Sequence, residues 1–394
     1  MKCAICNSTN IDIIFSMDHA PIAGNFLEDI KDDVLKPLRI LYCKDCGLAQ
    51  VLKEDRIPKH ELFDNYFYNT HATKTLKDHF YAEAESLHNE LASSSSILEI
   101  GGNSCPLGER LMELGNHLVI NVDPSNVALD SVPKGVTLVN NYFDNEVATK
   151  IKNDFGLMDV IFSANNFAHM EDLESVIDGI DTLLSPDGKL IIEVQDFHYL
   201  LDEMCFPFFY HEHLFYYTIE SLTALMDKHG LYLDSYEYIS IHGTSLHAIF
   251  SRTKPATPLY FFPPALTEYK IKVFKKKLVN LKTDIKQTLH NIKEKNETIV
   301  AYGASGQAKI YLSTMGITED EIPFIIDDSP LRQNKLTPGT HIPILDNDFL
   351  RGYNPDHILV LAYNFIDEIV YKNSWFLGKW LKPLPRLSIR ERSS

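Results

Sequence analysis

The sequence predicts an α/β protein: a mostly parallel sheet covered by helices on both faces, a small cysteine-bearing module before it, and a second, smaller α/β unit after it. Three observations carry this expectation. From Ile97 onward, short apolar runs alternate with helical patterns, the signature of strand–helix–strand units. A second strand, glycine turn and helix begin at Thr298, and two Cys-x-x-Cys pairs, Cys3/Cys6 and Cys43/Cys46, stand ahead of both units. At 394 residues the chain is also too long for one ordinary core.

Residues 1 to about 70 read as loop-rich, with Pro21, Gly24 and Pro37 lying between the cysteine pairs. Leu76, Phe80, Ala84, Leu87 and Leu91 recur at helical spacing and predict a helix over Thr73–Leu91. The serine run 93–96 ends it and leads into the alternating region. Strands are expected at Ile97–Ile100, Leu118–Val122, Thr137–Val139, Asp159–Ser163 and Leu190–Val194. Helices are expected at Leu107–Leu114, Glu146–Phe155, Leu173–Leu184 and Glu220–His229. Tyr232–Ile239 and Leu246–Phe250, joined by a short loop, should pair antiparallel. Prolines 255, 258, 263 and 264 mark a boundary, and a Lys-rich amphipathic helix over Leu266–Lys295 follows. Thr298–Tyr302, Pro323–Asp327 and Ile358–Ala362 read as strands of the last unit.

Composition narrows the partners. Lys plus Arg number 37 against 54 for Asp plus Glu, a formal charge of −17, which argues against nucleic acid and against an anionic membrane. No apolar run reaches the roughly 18 residues of a membrane span, and the N-terminus lacks a signal-type apolar region. A cytoplasmic location is expected, with no nucleic-acid or membrane partner, as a monomer or small homo-oligomer.

Two CxxC knuckles give four thiolates for one tetrahedral ion, so Cys3, Cys6, Cys43 and Cys46 predict a closed, structural Zn2+ site. Gly47 after Cys46 suits the tight turn. Ile97-Leu98-Glu99-Ile100-Gly101-Gly102-Asn103 is a strand ending in a glycine turn, and Asp123 ends the next strand where it can accept from a ribose diol. Such a pair serves a dinucleotide as well as S-adenosyl-L-methionine; Glu99 and the absence of G-x-G-x-x-G spacing favour the latter. Asn165-Asn166-Phe167-Ala168-His169 ends a strand at the ligand-binding edge of the sheet, or simply forms a turn. Tyr210-His211-Glu212-His213 places two imidazoles, a carboxylate and a phenol together, suited to proton transfer. The bland alternative is a satisfied polar loop, and H-E-x-x-H zincin spacing is absent. Tyr66 and Tyr68 share one side of an extended segment and read as packing unless a ligand meets them. Tyr302–Lys309 opens a helix on a glycine turn, a plain strand-to-helix turn or a phosphate cradle.

In this order, the blocks CKDCGLAQV, PIAGNF, LEIGGN, VDPSNVA, ANNFAHMEDL, YHEHLFYYT, IHGTSLHAIFSR, AYGASGQAK, IDDSPLRQNKLTPGTHIPI and LAYNF resemble the sugar C-methyltransferase family over nearly the whole chain. The resemblance implies a Rossmann-like class I methyltransferase domain with a small N-terminal zinc-binding module and a second C-terminal Rossmann-like α/β domain. It divides the chain into 1–72, 73–256, a linker helix over 257–296, and 297–394. It implies S-adenosyl-L-methionine as methyl donor, held by Glu99, Gly101, Asn103, Asp123, Asn165 and Asn166, and a nucleotide-diphosphate 4-keto-6-deoxysugar as substrate. On the matching motif His213 is the general base, with Glu212 and Tyr210 positioning it or the sugar. Tyr66 and Tyr68 match a pair near the keto-sugar, and His169 faces it. The last domain helps to hold the nucleotide. One departure stands out: the family's turn usually runs Gly-Ser-Asn-Asp-Gly, whereas here Ser104 and Cys105 replace the acid and the last glycine. Competing readings are an O- or N-methyltransferase or other sugar-modifying enzyme on the same scaffold, a non-catalytic nucleotide-sugar binding protein, and an NAD-dependent epimerase.

Overall fold

The computed structural model describes residues 1–390 apart from 23, 25, 60, 61, 63–73, 93, 242 and 257–263. The N-terminal segment contributes β1 (Ile11–Pro21), β2 (Leu35–Cys43) and β3 (Ala49–Val51). Then come α1 (Lys74–Glu90), β4 (Ser96–Ile100), α2 (Pro106–Leu114), β5 (Leu118–Val122), α3 (Asn126–Ser131) and β6 (Thr137–Val139). The chain continues through α4 (Asn145–Phe155), β7 (Met158–Ala164), α5 (Leu173–Leu183), β8 (Leu184–Gln195) and α6 (Phe197–Asp202). Next are β9 (Phe215–Tyr216), α7 (Ile219–Asp227), β10 (Tyr232–Ile239) and β11 (Ser245–Ser251). The long helix α8 (Pro264–Glu294) precedes β12 (Ile299–Tyr302), α9 (Gly306–Met315), β13 (Ile325–Ile326) and β14 (Ile344–Leu345). The chain closes with α10 (Asn347–Tyr353), β15 (His357–Val360), α11 (Ile366–Lys372), β16 (Lys379–Lys382) and β17 (Ser388–Arg390).

Seven strands build the central sheet in the order β10-β11-β8-β7-β4-β5-β6. Its strands from β8 to β6 run parallel, and β11 and β10 close it antiparallel. The expected sheet and its closing hairpin are both present. A second sheet, β14-β13-β12-β15-β16-β17, is parallel except at its last strand.

The N-terminal region departs from the expectation of loops. β1 and β2 form a long antiparallel pair, and the sheet continues β3-β9. The alternation that marks a strand is broken in β1 by register shifts between Ile13 and Phe15 and between Met17 and Ala20, and Pro37 interrupts β2. The fourth strand, β9, comes from the far side of the chain, so no local pattern announces the sheet.

One apolar core unites this sheet with α8 and the last α/β unit. Phe274, Leu281, Ile285, Leu289 and Ile292 form a buried stripe along α8. It packs with Phe15 of β1, Phe206 and Phe209, and Tyr311 of α9. Phe209 and Phe274 meet edge-on with centroids 6.0 Å apart, directly before the 210–213 segment. Truncation here leaves a cavity at a three-way junction. Phe274→Ala should lower the unfolding free energy by about 3–5 kcal/mol, measured by chemical denaturation.

Candidate active site

The strand β4 delivers a carboxylate and a turn to the sheet's C-terminal edge. Gly101 has φ +74°, and a Cβ built there would sit 2.3 Å from Asn166 Nδ2. A Cβ on Gly102 would lie 2.6 Å from Glu99 Cδ. Only glycine fits either place. The turn is held by the next strand: the Gly101 N–H donates to Val122 O at 2.8 Å, and the Gly102 N–H donates to Asn121 Oδ1 at 3.1 Å. Asp123 accepts from the N–H groups of Asn103 and Ser125, both at 2.8 Å.

The altered residues of the turn lie behind it. Ser104 and Cys105 are fully buried. Cys105 takes the left-handed φ of +56° that glycine favours, and its thiol donates to Glu99 Oε2 at 3.0 Å. Burial pushes the Glu99 carboxyl up to about 7 and the Cys105 thiol well above its ordinary value, so the pair is a neutral-thiol hydrogen bond that fixes the acid. The substitution therefore supports the turn from inside.

In front of the turn is a cavity of about 320 Å³ bordered by Glu99, Gly101, Asn103, Asp123, Asn165 and Asn166. All six sequence-derived cofactor residues thus meet at one void, together with Phe80, Tyr142 and Met170. Asn165 has φ +54° and its N–H donates to Glu193 O at 2.8 Å, which turns the chain sharply at the end of β7. The volume, the carboxylate at the end of β5 and the glycine cradle fit a nucleoside with a charged amino-acid tail.

His169 lines the same cavity and connects it to the second cluster. Its Nδ1–H donates to the Glu212 carbonyl oxygen at 2.8 Å, and its ring stands edge-on to His213 with centroids 4.8 Å apart. Burial holds the His169 imidazole down at about 4, neutral throughout the physiological range. Tyr210 Oη is 2.9 Å from His213 Nε2. The backbone fixes this loop twice: the Val51 N–H donates to Leu214 O at 2.9 Å, and the Leu214 N–H donates to Ala168 O at 2.8 Å. His211, by contrast, is wholly buried and its Nε2 pairs with Pro37 O at 3.1 Å, a structural tie to β2.

Sequence reasoning missed Lys309. It was legible only as the end of a glycine turn, but α9 carries it fully buried to the side of the cluster. Its Nζ lies 3.8 Å from the centre of the Phe26 ring. Burial pulls the Lys309 ammonium down to about 7, opposed by Glu212, and burial pushes Glu212 up to about 7, opposed by Lys309. Around Glu212 of the 210–213 loop stand Gly24, where an added Cβ would lie 3.7 Å from Glu212 Oε1, and the charge of Lys309 on α9. Tyr66 and Tyr68 lie outside the described residues.

The four N-terminal cysteines converge as well. Their sulfur atoms all lie within 4.8 Å of one another, with Cys3–Cys46 at 3.4 Å and Cys6–Cys43 at 3.5 Å. Sulfurs around a tetrahedral zinc at ~2.3 Å stand ~3.8 Å apart, so the set fits that ion. Gly47 closes the second knuckle with φ +79°.

Comparison with known proteins agrees with this geometry. Residues 70–236 match a methyltransferase domain family, and residues 266–385 match the C-methyltransferase C-terminal domain family. The chain is 27% identical to the C-methyltransferase NovU of Streptomyces niveus across 98% of its own length and 95% of that protein. Among solved structures it is similar to the 1,6-didemethyltoxoflavin-N1-methyltransferase of Burkholderia thailandensis (16% identity, 53% of this chain and 97% of that one, TM-score 0.37). The magnesium protoporphyrin IX methyltransferase of Synechocystis PCC 6803 is another (11% identity, 45% and 78%, TM-score 0.32). The chain is a methyltransferase. It carries a methyltransferase domain followed by a C-methyltransferase C-terminal domain, the order that the resemblance of its sequence blocks implies.

Gly101→Ala forces a side chain into Asn166 at a positive φ, a strain of about 1–3 kcal/mol. Calorimetric titration with S-adenosyl-L-methionine should show binding weakened roughly tenfold or more.

Proposed function

We propose that this protein transfers a methyl group from S-adenosyl-L-methionine to C3 of a nucleotide-linked 4-keto-6-deoxysugar. The carrying observation is that the cofactor cavity and the proton-transfer cluster share a wall: His169 lines the cavity and its ring touches His213. O- or N-methylation needs no carbon base, whereas a C–H bond beside a ketone does.

Glu99, Asp123 and the 101–103 turn hold the cofactor, which supplies an electrophilic methyl when bound. His213 takes the C3 proton, and the electron pair left behind delocalises onto the 4-keto oxygen as an enolate. Its carbon then forms the new C–C bond as the methyl leaves sulfur. Tyr210 fixes the His213 ring through its 2.9 Å contact. Glu212 and Lys309, both buried and each opposing the other's shift through its charge, present a carboxyl and an amine that can act on the developing enolate charge. The second α/β unit and Phe26 complete the substrate side, and the chain divides into its domains at 72, 256 and 296. Zn2+ on the four cysteines serves as a structural ion.

The test is proton exchange. With the cofactor analogue S-adenosylhomocysteine in deuterated water, wild type should wash deuterium into the 4-keto-6-deoxysugar at C3. His213→Ala should lose wash-in and methylation about 100-fold or more while binding S-adenosyl-L-methionine within about threefold. Lys309→Met should slow both steps together. Methylation that survives His213→Ala undiminished would overturn the reading.

A further inference from the structure

We propose that Glu83, Glu193 and His247 hold a divalent transition-metal ion of the zinc class at the wall of the cofactor cavity, with His79 as the outer partner that orients Glu193. One ligand atom from each of the three residues lies within 4.8 Å of the others. The inference does not rest on the identity of the acceptor sugar.

The distances leave room for an ion between His247 and the two carboxylates, the His247–Glu83 hydrogen bond being a long one. His79 Nε2 makes ordinary bonds to Glu193, at 2.9 and 3.0 Å to its two oxygens. His247 Nε2 stands farther off, 3.4 Å from Glu83 Oε1 and 4.0 Å from Glu193 Oε1. Charge-assisted hydrogen bonds run ~2.7–2.9 Å. Donors around an ion at ~2.0–2.2 Å stand ~2.9–3.5 Å apart, so a small contraction onto an ion closes the set. Glu193 is fully buried and His247 is 8% exposed. Two carboxylates gathered in such a place repel, and a dication neutralises both while an imidazole nitrogen selects a borderline metal over magnesium or calcium. The carboxylate already carries the outer imidazole partner that metal ligands require.

The scaffold explains what the ion does. His79 and Glu83 lie one turn apart on α1. Glu193 of β8 is paired in register with His247 of β11 and with Ala164 of β7. Phe80, next to His79, and Ala164 both line the cofactor cavity. An ion here clamps the helix that forms one wall of the cavity to the sheet that forms the other.

The protein is incubated with zinc sulfate, desalted and analysed for metal per chain. Wild type should hold two zinc ions; p-hydroxymercuribenzoate should release one, from the thiolates, and leave the other. Glu193→Gln and His247→Gln should each lose the mercurial-resistant ion, with affinity down about 100-fold, while keeping the mercurial-releasable one as proof of fold. His79→Gln should weaken it about 10- to 100-fold. Cobalt at the second site should add d–d absorption without thiolate charge-transfer bands. A wild type that retains no mercurial-resistant metal after loading, or variants that keep it, would overturn the proposal.

Discussion

Two residue pairs of a short antiparallel ladder, Ala49 with Tyr216 and Gln50 with Phe215, are what the site depends on. Through them the N-terminal sheet takes its last strand from the segment that immediately follows His213. The Gln50 side chain extends the tie to the first cysteine knuckle: its Oε1 accepts from the Ala4 N–H at 2.9 Å and its Nε2 donates to Lys2 O at 3.1 Å. The second knuckle is the turn between β2 and β3 itself, where the Gly47 N–H donates to Cys43 O. Both cysteine knuckles are thereby tied to the path of the 210–213 loop.

A three-body arrangement follows. The central sheet presents the glycine turn and His169, the N-terminal sheet fixes the 210–213 loop, and α9 brings Lys309 from the last unit. Three buried polar groups are answered from within the fold: Cys105 by Glu99, His211 by Pro37 and, through its charge, Glu212 by Lys309. Buried polar groups left unanswered are costly, so these contacts fix how the units assemble as well as where the reacting groups point.

The central sheet was legible because its strands are short apolar runs bounded by turns, from Ile97 through Phe250, and because its helices keep a 3.6-residue period. The residues that meet at the cavity were legible as a group for a related reason: they sit at fixed offsets along consecutive strand ends. The N-terminal sheet was not, since β-bulges and Pro37 break its alternation and its edge partner lies more than 160 residues away, as the Gln50–Phe215 pair shows. Lys309 was hidden for the opposite reason. It looks like an ordinary helical lysine, and only its burial against Phe26 within reach of the Glu212 charge makes it unusual. The turn at Ser104 and Cys105 is a departure in sequence and a brace in three dimensions, because only the fold reveals that the thiol faces Glu99.

The central claim is that the cysteine module holds the 210–213 loop through the β3–β9 ladder, and amide hydrogen exchange followed residue by residue in wild type and Cys46→Ser tests it most directly. The account predicts that residues 49–51 and 214–216 lose protection together, while 97–100 and 118–122 in the central sheet keep theirs. Unchanged protection at 214–216 alongside loosened 49–51 would contradict it.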